Sequence, residues 1–278
     1  MLIRALALTI GVLLAGGAQA QPSNIIFGKD VPTVPMAEWE IVQKGAAEQT
    51  GERILIAAGP AEIARAPKDA VTYDSQTFRF PTGTIRVLNF TKKNGGVLHQ
   101  ITSETQIYVV KGSAVVGVRG APTEIRAGDV VNLPSGVLRS RKGKAEDTMI
   151  LAFTTASTKP DATATLVRGK DTPITPLADG PKSGTEAAKV SVQRYVFDGN
   201  SIRVARLTGK GKTSPATPAT DVLIYLTKGR MQITVGDEVK DVAAGDALRE
   251  EAGKITYWDV YEDSEFLATN AVVLKPKP

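Results

Sequence analysis

One stretch that recurs without a gap constrains this chain more than any other feature. Glu104 to Asp129 reads ETQIYVVKGSAVVGVRGAPTEIRAGD, and 117 residues later Asp221 to Asp246 reads DVLIYLTKGRMQITVGDEVKDVAAGD. Each copy is three short runs rich in β-formers, separated by Gly-bearing turns, a pattern of strands in a sandwich or barrel. The register holds over a wider span. Phe78 and Phe80 match Tyr195 and Phe197, Ile85-Arg86-Val87 match Ile202-Arg203-Val204, and Gly136 matches Gly253. Self-similarity at one fixed offset marks an internal duplication. The chain is therefore expected to be all-β and built from two related units in tandem.

Punctuation divides the rest. Residues 1–20 read as a signal peptide, 21–70 as an N-terminal arm, 71–156 as the first repeat, 157–186 as a linker and 187–278 as the second repeat. The linker reading rests on its prolines and glycines and its few large apolar residues. In the arm, Ala37 to Gln49 reads as a helix, Arg53 to Ala58 as a strand and Ala61 to Ala66 as a short helical turn. The expected role of such an arm is to cover a sheet edge that would otherwise be free to pair with other chains.

The leader has a positive start at Arg4, an apolar run from Ala5 to Leu14, and a small-x-small site at Ala18-Gln19-Ala20. That order is a Sec-type signal cleaved after Ala20, which implies a periplasmic or secreted protein. The apolar run is shorter than the ~20 residues a helical span needs, so no stable membrane anchor is expected after cleavage. Cysteine is absent, which excludes thiolate metal sites and Cys nucleophiles. With 42% hydrophobic residues the chain can build a packed core instead. The net charge of +5 is spread among acids, with no basic helix and no aromatic RNA-binding strand, so nucleic acid is not an expected partner. No nucleophile elbow, phosphate loop or dinucleotide glycine pattern is present.

The glycine spacing in both repeats resembles the cupin superfamily, and specifically a bicupin. The family's first motif has the form G-x5-H-x-H-x3,4-E-x6-G and its second G-x5-P-x-G-x2-H-x3-N. Counted from Gly112, the two His positions fall on His99 and Ile101 and the Glu position on Thr105. Gly128, Pro134 and Gly136 are in register with the second motif, and Arg139 stands at its His. In the second repeat the corresponding residues are Ala216, Pro218, Val222, Glu251, Gly253 and Thr256. The resemblance implies two double-stranded β-helix (jelly-roll) barrels with an N-terminal arm. It does not carry over the metal: the family's centre uses two or three His and a Glu, whereas His99 is the single His of this chain. No metal and no other cofactor is therefore expected, and a Glu104 displaced by a β-bulge into the Glu place would still leave only two ligands.

On the cupin pattern the first barrel would present His99, Ile101, Thr105, Ile107, Arg139 and Arg141 inward. Arginine forks suit carboxylates and phosphates, so the favoured expectation is a small organic or carbohydrate-like ligand, an anionic one included, in the first barrel, with Thr105, Ile107, Arg141 and Trp258 as ligand contacts. A solvated loop is the competing reading of Arg139 and Arg141. The second barrel is expected to be mainly structural, with Trp258 packing in its core or stacking on a ligand ring. Arg86 and Arg203, matched inside apolar strands, are expected to sit in structural ion pairs with acids, a site role being the lesser alternative. An alternative is a metal-independent isomerase, epimerase or lyase, with His99 as acid and base and Glu104 and Arg139 assisting. A third reading is a structural or interaction protein with filled barrels and a homodimer contact through the arm. Export predicts a mature chain starting at Gln21; intact mass and N-terminal sequencing of the exported fraction check this, and a chain starting at Met1 contradicts it.

Overall fold

A computed structural model describes residues 24–43, 52–58, 68, 70–90, 97–100, 103–118, 121–134, 138–143, 147–155, 164–177, 187–197 and 200–271. These residues are nearly all strand, with two short 3-10 turns and no α-helix. Four antiparallel sheets result. Each repeat supplies one large sheet and one four-stranded sheet, and the two large sheets pack back to back.

The back-to-back contact explains the aromatic residues matched across the repeats. Phe78, Phe80, Tyr108 and Phe153 from one large sheet meet Tyr195, Phe197, Tyr225 and Leu267 from the other in a single buried cluster. Phe78 meets Tyr225 edge-on at 5.7 Å, and Tyr108 meets Tyr195 at 6.3 Å. Burying such side chains is worth roughly 1.5–3 kcal/mol each. The Thr269 hydroxyl donates to Gln106 Oε1 across the same contact at 2.6 Å. Strand alternation sends the odd-numbered residues of Glu104–Lys111 the other way, into the first barrel.

Each barrel has its own core. In the first repeat Tyr73, Leu88, Phe90, Ile107, Leu133 and Ile150 belong to a buried cluster between its two sheets. In the second, Ile224, Leu226, Met231, Ile233 and Trp258 do the same.

The segments between the repeats carry a second duplication. Gly28-Lys29-Asp30 and Gly169-Lys170-Asp171 each form a 3-10 turn, each followed by proline two residues on. Ahead of the first turn, Ile25–Ile26 pairs with Ala247–Glu250 of the second repeat; after it, Val34–Gln43 pairs with Val71–Phe80 of the first. The later turn does the converse. Thr165–Val167 pairs with Val130–Leu133 of the first repeat, and Ile174–Pro176 pairs with Lys189–Phe197 of the second. The two arms therefore cross between the sheets.

Matched carboxylates hold the crossings. Asp246 Oδ1 accepts the Gly28 N–H at 2.8 Å, and Asp129 Oδ1 accepts the Gly169 N–H at 3.0 Å. The second oxygen of each accepts an N–H three residues back in its own turn, from Ala243 and Arg126. On the far side, the Gln76 amide donates to the carbonyls of Gly28 and Val31, and the Gln193 amide to those of Gly169 and Thr172. A Cβ at Gly28 would collide with the Gly245 carbonyl, and one at Gly169 with that of Gly128, which is why glycine opens both turns.

Two expectations change. The helix expected over Ala37 to Gln49 is a strand as far as it is described, Val34–Gln43, antiparallel to Glu52–Ala58. Ala and Glu favour helix, but intrinsic propensity is a small term, and pairing along the sheet edge overrides it. The stretch 157–186 contains, in 164–177, a built element of both sheets as well as a connection. The helical turn expected at Ala61 to Ala66, the cleavage site and most of the leader's neighbourhood lie outside the described residues.

Replacing Asp246 by Ala strands two backbone donors at a buried position. It should cost on the order of 2–4 kcal/mol in urea unfolding, with Gly28→Ala comparable and an exposed control, Lys240→Ala, near zero.

Candidate functional site

A cavity of about 630 Å³ opens in the second barrel. Its volume follows from substitutions between the repeats. Register pairs Tyr73, Leu88 and Leu133 of the first repeat with Val190, Ala205 and Glu250 of the second. Tyr73, Leu88 and Leu133 are buried and help fill the first barrel. Val190, Ala205 and Glu250 line the cavity of the second. Smaller side chains leave space, and a carboxyl replaces an alkyl group.

The strands aim a few polar groups into a mostly apolar chamber. Arg203 lies on Asn200–Thr208 and Glu250 ends Ala247–Glu250. Trp258, on Thr256–Val260, stacks on Phe266 at 4.9 Å with planes 15° apart, giving the chamber a flat aromatic wall. Thr213 fixes that strand by accepting the Trp258 backbone N–H at 3.0 Å.

Burial disturbs both charged groups. It pushes the Glu250 carboxyl up from 4.5 to about 7, against the opposing pull of the Arg203 guanidinium and of the Trp258 indole as a hydrogen-bond donor. Burial likewise lowers the Arg203 pKa, with the Arg194 charge acting in the same sense and Glu250 opposing. Arg203 donates from Nη2 to Asn270 Oδ1 at 3.0 Å, while its buried Nε meets no acceptor. The ion pair expected for Arg203 is thus replaced by a bond to a neutral amide. A compensating acid is used elsewhere: Arg206 pairs with Glu265, and Arg249 with Asp221.

The residues expected to act in the first barrel are placed as follows. Ile107 is buried in the first barrel's apolar core. Thr105 is buried, with its hydroxyl bonded to the Ser103 carbonyl at 3.2 Å and to the Thr154 hydroxyl at 3.3 Å. Glu104 is buried too, but alternation places it on the Gln106 and Tyr108 face, opposite Thr105 and Ile107. No bulge brings it round, since the strand's register with Thr148–Thr155 shifts only at Met149/Ile150. His99 is the register partner of Arg139, and Arg141 of Val97, on neighbouring strands. The side chains of His99, Arg139 and Arg141 lie outside what the structure describes. Trp258 is the one expected contact that lines the cavity. Glu250 was not expected there, and a site role for Arg203 stood only second to a structural ion pair, although a glutamate in register with Leu133 is a signal the duplication carries.

The cupin metal does not fit the donors present. In the second barrel the ligand positions hold Ala216, Pro218, Val222 and Thr256, none of them a usual ligand. Among the described residues no group of three or more His, Cys, Asp or Glu side chains gathers as a site would.

Glu250 binds its proton more tightly in the folded chain than in the unfolded one. Its ionisation therefore opposes folding as pH rises from about 4.5 to about 7, and the penalty is constant above that range. Glu250→Gln should gain stability relative to the parent across this window, by up to about 3 kcal/mol, and show little difference at pH 4. Urea midpoints at pH 4, 6 and 8 check this.

No family model matches the sequence, and no curated protein matches it either. Solved structures do. AerE from Microcystis aeruginosa superposes with a TM-score of 0.60 at 10% identity, over 72% of this chain and 93% of that one. A putative glyoxylate-induced protein from Pseudomonas aeruginosa gives 0.61 at 14% identity, over 91% and 90%. An oxalate decarboxylase from Lactobacillus farciminis, in its formate complex, gives 0.56 at 12% identity, over 73% and 82%. At these identities the likeness speaks to architecture: the chain has the cupin jelly-roll fold, repeated in tandem as in a bicupin.

Proposed function

We propose that this is an exported binding protein whose site is the second barrel, and that it takes a small organic molecule with an apolar body and one polar end. The cavity formed where the repeats diverge carries this reading. A chamber of about 630 Å³ is within the range that holds drug-sized ligands, and such sites are mostly apolar with a few converging polar groups. The expected location in the first barrel has less support, since Tyr73, Leu88, Phe90 and Leu133 are packed into that interior. A carbohydrate is also less favoured, because a polyhydroxylated ligand buried against Val190, Ala205, Leu207 and Phe266 would leave hydroxyls without partners. The signal-like leader supports export.

One observation supports the catalytic alternative. His99 and Arg139 are register partners on adjacent strands. In that reading His99→Ala loses turnover with the fold intact. In the binding reading it changes nothing at the second barrel.

Filling the chamber tests the binding reading. Ala205→Leu, the residue of the first repeat at this position, should weaken ligand affinity at least tenfold while melting within a few degrees of the parent. Quenching of Trp258 fluorescence by a panel of small aromatic and aliphatic compounds reports binding, with Trp258→Phe separating its signal from that of Trp39. Equal affinity in Ala205→Leu would place the site elsewhere.

A further inference from the structure

The charges around the cavity are unbalanced in a way that selects a ligand. Arg203 reaches the chamber with one hydrogen bond to a neutral amide and a buried Nε lacking an acceptor. Arg194 is its register partner on the adjacent strand and adds a like charge, and Lys189 lines the mouth. The facing acid is Glu250. Asp221, on the strand beside Glu250, is occupied by Arg249 and the Ala252 N–H. A half-buried cation without a contact anion is costly, and the group that relieves it is an anion in the chamber.

Resting on the reading of the second barrel as a ligand site, we propose that the ligand is a monocarboxylate with an apolar or aromatic body, its carboxylate seated between Arg203 and Glu250 and sharing one proton with Glu250. An amine would meet Arg203 inside and Lys189 at the mouth. A dianion such as a phosphate monoester would bring two charges to a chamber with one inward guanidinium and apolar walls. A single carboxylate matches the count, and a planar body fits beside the stacked Trp258 and Phe266.

The shared proton follows from the geometry. Two carboxylates side by side in a site of low polarity do not both ionise. Below about pH 7 Glu250 already holds its proton in the free protein, and the ligand anion binds without further uptake. Above it, binding takes one proton from solvent onto the carboxyl pair. Affinity should therefore be flat from pH 5.5 to about 7 and fall about tenfold per pH unit beyond.

The experiment titrates the full mature protein with 3-phenylpropanoate, 3-phenylpropanol and 3-phenylpropylamine between pH 5.5 and 8.5, following Trp258 fluorescence and heat release. The carboxylate should bind at least tenfold more tightly than the alcohol at pH 6, and the amine should not bind. At pH 8, heats in buffers of different ionisation enthalpy should report uptake of about one proton. Glu250→Gln should lose the pH dependence, with affinity level between pH 5.5 and 8.5. Arg203→Gln should lose the preference for the acid over the alcohol while still binding the alcohol. Equal binding of alcohol and acid, or preference for the amine, overturns the carboxylate inference and leaves the cavity reading standing. If none of the three binds and Ala205→Leu changes no ligand response in the wider panel, the cavity reading falls, and this inference with it.

Discussion

The paired aspartates of the Ala-Gly-Asp turns hold this molecule together as one object. Asp129 and Asp246 each fix their own turn with one carboxylate oxygen and capture a crossing arm with the other. Each is buried, and its loss would strand the main-chain donors it holds. Because each captured arm continues into the sheet of the opposite repeat, a local hydrogen bond becomes a constraint on how the two barrels sit. The aromatic layer between the large sheets supplies buried apolar contact, and the aspartates tie the arms across it.

With that frame fixed twice, the interiors are free to differ. The first barrel has retained bulk, with Tyr73, Leu88 and Leu133 at positions where the second carries Val190, Ala205 and Glu250. Removing bulk inside a barrel ordinarily costs several kcal/mol through an empty cavity. Placing a carboxyl there adds desolvation. Two such departures at one place are hard to account for by packing alone, whereas a bound molecule that fills the space and meets the charge accounts for both. The resemblance to metal-dependent cupins stops at the backbone, since the positions that would bind an ion hold alkyl side chains and a threonine in the second barrel.

Much of the fold could be read in the chain. The fixed offset located the strands, and the matched aromatics at 78 and 195 and at 80 and 197 mark the contact between repeats. The crossing arms were not legible the same way, because the Gly-Lys-Asp turns are offset by a different interval from the barrels they join. The strand of Val34–Gln43 was hidden by helix-favouring residues whose conformation is decided by a neighbouring edge. Family position directed attention to His99 and its surroundings, while the cavity depends on volumes lost at several separate places. Glu250 was visible only as an acid in an apolar register, and its meaning needed the third dimension.

The crossing of the first arm also bears on the order in which the structure is completed. Gly28 and Asp246 are 218 positions apart, and the strand ahead of Gly28 pairs with the one that follows Asp246. The earliest described segment of the chain to be made has no place to dock until nearly the last strands exist. Contacts so distant in sequence demand closure of a very long loop before they return any stabilisation. Folding of the first barrel can run ahead, but its own clasp, Asp129 with Gly169, closes only 40 residues on. These separations predict that the Asp129–Gly169 clasp closes before the Asp246–Gly28 one.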